Sequence, residues 1–169
     1  MNNFTFNIPT DIRFGRNQIQ CLPEELAKYG RKVLLVYGGG SIKRNGIYDK
    51  VYELLKDFQV FELSGIEPNP KLTSVEKGAE ICKKEGIEVI LAVGGGSVID
   101  ASKHIACSAC YEGEPWDLVL DRSKVKKALP IAVVLTICAT GSEMNSGAVI
   151  SNEKTCEKLE INTPLLYPR

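Results

Sequence analysis

The chain has 169 residues, of which 44% are hydrophobic, and this is the size and composition of one globular domain with a buried core. Its 21 basic residues balance its 21 acidic residues and no segment concentrates one sign, which excludes the broad charged surface of a nucleic-acid or membrane-surface binder. No apolar run approaches the roughly 18 residues that span a bilayer, and the first residues lack the layout of a signal peptide, so we expect a cytoplasmic protein. The six cysteines are scattered, mostly in apolar segments, which predicts reduced thiols.

The apolar pattern alternates between strands and helices along the chain. Residues 1–15 alternate loosely and are interpreted as an edge hairpin, and short runs typical of β-strands then occur at 32–37, 60–63, 88–93 and 130–136. Apolar positions three and four apart predict amphipathic helices at 45–58 and 73–85, and the prolines of 67–70 predict a loop. The sequence therefore predicts an α/β fold, one Rossmann-like domain over residues 1–169 whose parallel sheet is covered by helices on both faces.

The first glycine run, Tyr37-Gly-Gly-Gly-Ser41, follows the first buried strand. Residues 37–48 contain Ser41, Lys43 and Arg44 but no carboxylate. An acid near the ribose hydroxyls usually selects NAD(H), because it repels the 2′-phosphate of NADP(H). The missing acid favours NADP(H) over NAD(H), and the alternative is a solvated turn with ordinary surface charges.

The second glycine run, Val93-Gly-Gly-Gly-Ser97, joins a buried strand to a segment with helical spacing. Glycines allow close approach of a ligand to the backbone, and the positive end of a helix, about half a charge, favours a diphosphate there. Ser97 is expected to cap the helix, to donate to a phosphate oxygen, or both. The alternative is a tight strand-to-helix turn without a ligand, and neither glycine run matches the dinucleotide fingerprint G-x-G-x-x-G.

Four motifs occur in a fixed order, namely Gly38-Gly-Gly-Ser41, Gly65-Ile-Glu-Pro-Asn-Pro70, Gly94-Gly-Gly-Ser-Val-Ile-Asp100 and Thr140-Gly-Ser-Glu143. With these motifs the chain resembles the iron-containing (group III) alcohol dehydrogenases over essentially all of its residues. It looks like the branch of NADPH-dependent butanol dehydrogenases and aldehyde reductases. The resemblance implies the dinucleotide-binding, amino-terminal domain of such an enzyme, without the family's helical metal-binding domain.

The resemblance also implies a set of site residues. Residues 94–97 are implied to hold the pyrophosphate, residues 38–41 to face the adenosine ribose and its phosphate, and Thr136 and Thr140 to line the cofactor cleft. Lys158 matches a family lysine near the nicotinamide ribose. The complete predicted set of cofactor-binding residues is Gly38, Gly39, Gly40, Ser41, Lys43, Gly94, Gly95, Gly96, Ser97, Asp100, Thr136, Thr140 and Lys158.

Asp100 carries two interpretations. The resemblance implies that its carboxylate lies near the nicotinamide half of the cofactor and accepts a hydrogen bond from the amide. The alternative is an acid in the first turn of a helix, where the helix dipole favours negative charge.

In the family, a hydride moves between a primary alcohol or aldehyde and the nicotinamide, and Fe²⁺ or Zn²⁺ polarises the substrate oxygen as a Lewis acid. Its metal ligands, one aspartate and three histidines, lie in a following helical domain and match no residue of this chain. We therefore expect no catalytic or metal-binding residue here and no turnover by these residues alone. His104, Cys107 and Cys110 offer ligand atoms, but on one helix the ends of that set lie about 240° apart and cannot close around one ion.

Two alternatives to a dehydrogenase domain remain: a stand-alone dinucleotide-binding module without catalysis, and a dehydratase-like or synthase-like member of the same superfamily. The motif Thr140-Gly-Ser-Glu143 argues against the latter. A first strand at residues 4–8 offers an edge for pairing across a twofold axis, and the resemblance implies a homodimer. The sequence specifies neither the alcohol or aldehyde nor the metal.

Overall fold

The protein is described by a computed structural model, which covers residues 3, 5 and 7–169 and contains a central sheet of four parallel strands. The strands are β1 (Lys32–Tyr37), β2 (Gln59–Leu63), β3 (Val89–Gly94) and β4 (Ile131–Leu135). Their order in the sheet is β2-β1-β3-β4. Each run predicted to be a strand is one, with ends that agree to within one residue, so the predicted parallel sheet is confirmed.

Side chains of the central strands alternate between two cores, one on each face of the sheet. Leu34 and Val36 of β1 face the first core, and Val33, Leu35 and Tyr37 face the second. Burial on both faces explains the consecutive apolar residues at 33–36 in β1 and 89–93 in β3, as in other sheets covered by helices on both sides.

In the part of the chain that the structure describes, six α-helices pack around the sheet. Their bounds are α1 (Leu22–Ala27), α2 (Ser41–Arg44), α3 (Ile47–Leu54), α4 (Leu72–Glu85), α5 (Gly96–Ser108) and α6 (Pro115–Leu120). Helices α4, α5 and α6 cover the first core, which we call the α5-side core, and α1, α2 and α3 cover the second, the α3-side core. None of the helices within the described residues is long and apolar enough to cross a membrane.

The two helices predicted from spacing have different outcomes. Helix α4 matches its prediction and ends at Gly86, whose left-handed φ of 64° directs its amide to the carbonyl of Cys82. Helix α3 is shorter than the predicted 45–58, because Gly46, with a φ of 80°, precedes it and Leu55 already leaves the helical region.

A second, antiparallel sheet was not predicted. Its strands are β5 (Gly147–Asn152) and β6 (Glu157–Asn162), and they form a hairpin beside α5. Ala148 and Ile161 from the hairpin are buried with Cys107 of α5. Strand β6 exposes five of its six residues to solvent, so its sequence shows little of the apolar alternation that would identify a strand.

The predicted edge hairpin over residues 1–15 lies in part outside the described residues, which lack 1, 2, 4 and 6. At residues 3, 5 and 7–15 the structure contains no strand. Pro9 has no amide proton to donate to a strand ladder, and Gly15 and Asn17 adopt positive φ angles of 141° and 63° that do not occur in regular strands.

Gly78 allows α4 to pack closely against α5. A Cβ atom at this position would lie 2.5 Å from Cδ1 of Ile105 and 2.9 Å from Cδ2 of Leu63. We expect Gly78→Val to lower the unfolding free energy by roughly 1–3 kcal/mol, because the added methyl groups overpack this contact. Chemical denaturation measures the loss, with Lys77→Val at the exposed neighbouring position as the control. Equal midpoints for the two variants would contradict the prediction.

Candidate functional site

The two glycine runs meet at one edge of the sheet. Strands β1 and β3 are parallel neighbours, and Tyr37 at the end of β1 lies opposite Val93 near the end of β3. The chain leaves β1 toward β2 on one side and leaves β3 toward β4 on the other, so the carboxyl ends of β1 and β3 flank a topological switch point. Open α/β sheets bind their ligands in the crevice at such a point.

The second glycine run is a closely packed turn into α5. A Cβ atom on Gly94 would lie 2.6 Å from Cγ2 of Val98, and one on Gly96 would lie 2.5 Å from Oγ1 of Thr140. A Cβ atom on Gly95 would lie 3.0 Å from Cγ2 of Ile137. The glycines therefore let the loop after β4 approach the start of α5 closely. Packing alone accounts for glycine at 94 and 96, so the tight turn and the phosphate site are compatible interpretations.

The proposed capping role of Ser97 is wrong. Helix α5 begins at Gly96, its N-cap is Gly95, and no side chain caps it. Ser97 already lies in the helix as its second residue, where its hydroxyl remains half-buried. The first amides of a helix have no intrahelical acceptor, so the start of α5 presents N–H groups and a partial positive charge at the switch point.

The first glycine run is more open. The amide of Gly65, in the loop after β2, donates to the carbonyl of Gly38 at 3.2 Å. Gly39 is exposed, and a Cβ atom there would have nothing within 4 Å. Gly40 adopts a φ of 94° as the N-cap of α2, and Ser41 begins that helix on the exposed surface. The run therefore leaves open space beside the crevice.

A carboxylate that was not predicted from the sequence lies beside this run. Glu62 of β2 accepts hydrogen bonds from the hydroxyls of Tyr37 at 2.5 Å, of Tyr48 at 2.7 Å, and of Tyr52. The ammonium of Lys43 lies 4.5 Å from the ring centre of Tyr48 and 5.3 Å from that of Tyr37. Partial burial alone would raise the pKa of Glu62, but the three tyrosine hydroxyls lower it below its ordinary value. A negative charge therefore lies in the same cluster as Lys43.

Asp100 has defined partners within the protein. Its Oδ1 accepts from the hydroxyl of Ser142 at 2.6 Å and its Oδ2 from the amide of Val149 at 3.0 Å. It lies in the second turn of α5, which has no acid in its first turn, so the first-turn interpretation is wrong. The bond to a nicotinamide amide stays a prediction.

The remaining predicted residues are spread around the crevice. The amide of Thr136 donates to the carbonyl of Gly94 at 3.0 Å, and Thr140 packs on Gly96. Lys158 is exposed on β6, where its ammonium donates to Oδ1 of Asn69 at 2.7 Å, in the loop after β2. Thr136 and Thr140 thus touch the second glycine run, whereas Lys158 contacts the loop after β2.

The helix after the second glycine run carries a buried histidine. Nε2 of His104 lies 2.9 Å from the carbonyl of Pro115, so Nε2 is the protonated nitrogen. Burial lowers the pKa of His104 to about 4, which makes the ring neutral near neutral pH. The thiol of Cys107 contacts the carbonyl of His104 at 3.2 Å, whereas Cys110 is exposed. Among residues 3, 5 and 7–169, no three His, Cys, Asp or Glu side chains could together hold a metal ion, so these residues do not fit the metal that the family resemblance implies.

The chain is similar to a family model and to several known proteins. The family model for iron-containing alcohol dehydrogenases matches residues 9–169. The chain is 56% identical to NADH-dependent butanol dehydrogenase B of Clostridium acetobutylicum, and that match covers 100% of this chain and 44% of the relative. It is 41% identical to the NADPH-dependent aldehyde reductase YqhD of Escherichia coli, and that match covers 99% of this chain and 44% of the relative. The crystal structure of NADH-dependent butanol dehydrogenase A from Thermotoga maritima superposes with a TM-score of 0.94 at 51% identity, over 99% of this chain and 43% of that one. The chain thus spans less than half the length of these relatives.

The buried imidazole predicts a dependence of stability on pH. Between about pH 6.5 and pH 4 the unfolded chain binds a proton at His104 that the folded chain excludes. The unfolding free energy should therefore fall as the pH falls through this window, by at most about 3 kcal/mol.

Denaturant titrations at pH 7 and pH 5 measure this dependence. We expect His104→Gln to lose less unfolding free energy between the two pH values than the wild type, because the amide of glutamine donates to the Pro115 carbonyl and does not titrate. An identical loss in both proteins would assign the dependence to other groups.

Proposed function

This chain belongs to the iron-containing alcohol dehydrogenase family, and we propose that it forms the part of such an enzyme that binds the nicotinamide dinucleotide. One observation carries the proposal: both glycine runs lie at the carboxyl ends of neighbouring parallel strands, at the switch point of the sheet. Sequence similarity to NADH-dependent and NADPH-dependent relatives supports a nicotinamide dinucleotide as the ligand.

The residues fit a diphosphate at the start of α5. The amides of Gly95, Gly96 and Ser97 lie where the helix provides no acceptor, and the Ser97 hydroxyl is half-buried at the same place. Thr140 closes the turn from the side of the β4 loop. On this proposal, these groups fix the pyrophosphate and so orient the nicotinamide half of the cofactor.

The bound nicotinamide would supply hydride transfer to or from a primary alcohol or aldehyde, which is the reaction proposed for the whole enzyme. The described residues offer no site for a metal, so the role proposed for this chain is to bind and orient the dinucleotide. On this proposal the 169 residues alone show no turnover. The homodimer stays a prediction, because Phe4 and Phe6 of the strand invoked for it lie outside the described residues.

The preference for NADP(H) also stays a prediction. Lys43 and the open space at Gly39 support it, since they offer a cation and room for a 2′-phosphate. Glu62 weakens it, because this carboxylate is part of the cluster that contains Lys43. The names of the compared relatives include both cofactors.

Calorimetric titration of the 169-residue chain with NADPH and with NADH tests the proposal. We expect binding of at least one dinucleotide, and a loss of about tenfold or more in affinity in Gly96→Ala, because the new Cβ displaces Thr140 from the start of α5. Lys77→Ala, an exposed change on α4, serves as the control, and thermal unfolding verifies that each variant is folded. A folded wild-type chain that binds neither dinucleotide would overturn the proposal.

Two substitutions test the cofactor preference, one in the first glycine run and one at Lys43 beside it. The structure has space for the side chain of Gly39→Asp. This substitution should weaken the binding of NADPH about tenfold more than the binding of NADH, because the carboxylate repels the 2′-phosphate. Lys43→Ala should also weaken the binding of NADPH more than that of NADH. The control, Lys50→Ala on α3, should change neither affinity. If the ratio of the two dissociation constants is the same in all four proteins, the 2′-phosphate does not lie beside this run.

A further inference from the structure

Helix α5 contains a lysine that is completely buried. The side chain of Lys103 is 0% exposed, and its ammonium donates to four oxygen atoms. These are Oγ of Ser142 at 3.0 Å, the carbonyl and Oδ1 of Asn145 at 2.8 and 2.9 Å, and the carbonyl of Gly147 at 2.8 Å. All four belong to residues 142–147, which connect the loop after β4 to strand β5.

Asp100, one turn earlier on α5, holds the same segment. It accepts from the Ser142 hydroxyl and from the amide of Val149. The Ser142 hydroxyl therefore accepts from Lys103 and donates its only proton to Asp100, which joins the two charged side chains through one atom. We call Lys103, Asp100 and Ser142 the α5 clasp.

The α5 clasp lies next to the second glycine run. The amide of Ser142 donates to Oγ1 of Thr140 at 3.2 Å, and Thr140 packs against Gly96 at the start of α5. The clasp therefore limits the positions that Thr140 can occupy relative to the first turn of the helix.

We propose that Lys103 and Asp100 are positioning residues that hold Thr140 against Gly96 and thereby set the affinity for the dinucleotide. This inference rests on the proposed function. Neither side chain needs to touch the cofactor, because both act through Ser142 and the backbone of residues 142–149. The clasp is polar rather than apolar, so its geometry is fixed by hydrogen-bond directions and depends on the charge of Lys103.

The charge of Lys103 is sensitive to pH. The charged groups that act on it are Asp100 on its own helix, Glu143 after the β4 loop, and Glu160 on β6. Burial outweighs their attraction and lowers the pKa of Lys103 to about 8. The ammonium shares three protons among the four oxygens, whereas a neutral amine has two protons and a lone pair that would face an oxygen, so deprotonation loosens the clasp.

Binding and stability should respond to this titration in opposite directions. The pKa of Lys103 is lower in the folded chain than in the unfolded chain, so its contribution to the unfolding free energy rises with pH from about 8 to 10.5. The affinity for NADH should fall over the first part of that range, because the neutral clasp no longer fixes Thr140. A residue that only supports the fold would not weaken binding while stability rises.

The experiment is a calorimetric titration with NADH and with NADPH at about pH 7 and about pH 9 on the 169-residue chain and three variants, with thermal unfolding at each pH. We expect Lys103→Met to weaken binding about tenfold at pH 7 and to remove the pH dependence of the affinity. Lys103→Arg keeps its charge at both pH values. Its affinity for the dinucleotide should therefore be the same at about pH 9 as at about pH 7. Lys77→Met controls for removal of a lysine at an exposed position.

The possible outcomes distinguish failure of the clasp from failure of the proposed function. A folded Lys103→Met that binds NADH with wild-type affinity and wild-type pH dependence overturns the clasp as a positioning device. If Lys103→Met does not fold, Ser142→Ala decides, since it removes the hydroxyl that links Lys103 to Asp100 and should also weaken binding, and wild-type affinity in a folded Ser142→Ala overturns the clasp. A folded wild-type chain that binds neither NADH nor NADPH overturns the proposed function, and this inference with it.

Discussion

The pairing of β1 with β3 is the constraint on which the candidate site depends. These strands are distant in sequence but hydrogen-bonded side by side, and their parallel direction places both carboxyl ends at one edge. The glycine runs come after those ends, so a single register fixes their separation. Helix α5, the loop after β4 and the loop after β2 then reach the same edge as consequences of the strand order.

The strands were predictable because a strand buried on both faces has consecutive apolar residues, as at 33–36 in β1 and 89–93 in β3. The glycine runs were predictable for a similar reason, since three consecutive glycines are conspicuous in a sequence. Strand β6 was missed because it buries only Ile161. Local patterns therefore reveal elements with several buried apolar positions and miss a strand that has only one.

The polar parts of the site could not be obtained from local patterns. Residues 37–48 contain no acid, but the fold brings Glu62 from the neighbouring strand into the same cluster as Lys43. Lys103 lies in a helix among Ile99, Ala106 and other buried residues, where a buried charge needs polar partners that the local sequence does not identify. Those partners come from residues 142–147, and their approach depends on a hairpin that was not predicted.

The sheet separates two cores, and this separation has a consequence for how such a domain can evolve. Lys43 and the tyrosines around Glu62 adjoin the α3-side core, whereas the second glycine run and Lys103 belong with α5 on the opposite face. Substitutions far apart with no shared partners have nearly additive effects. On the proposed function, substitutions around Lys43 and Glu62 can therefore accumulate and change which dinucleotide is preferred, while selection on the other face preserves the packing at the start of α5.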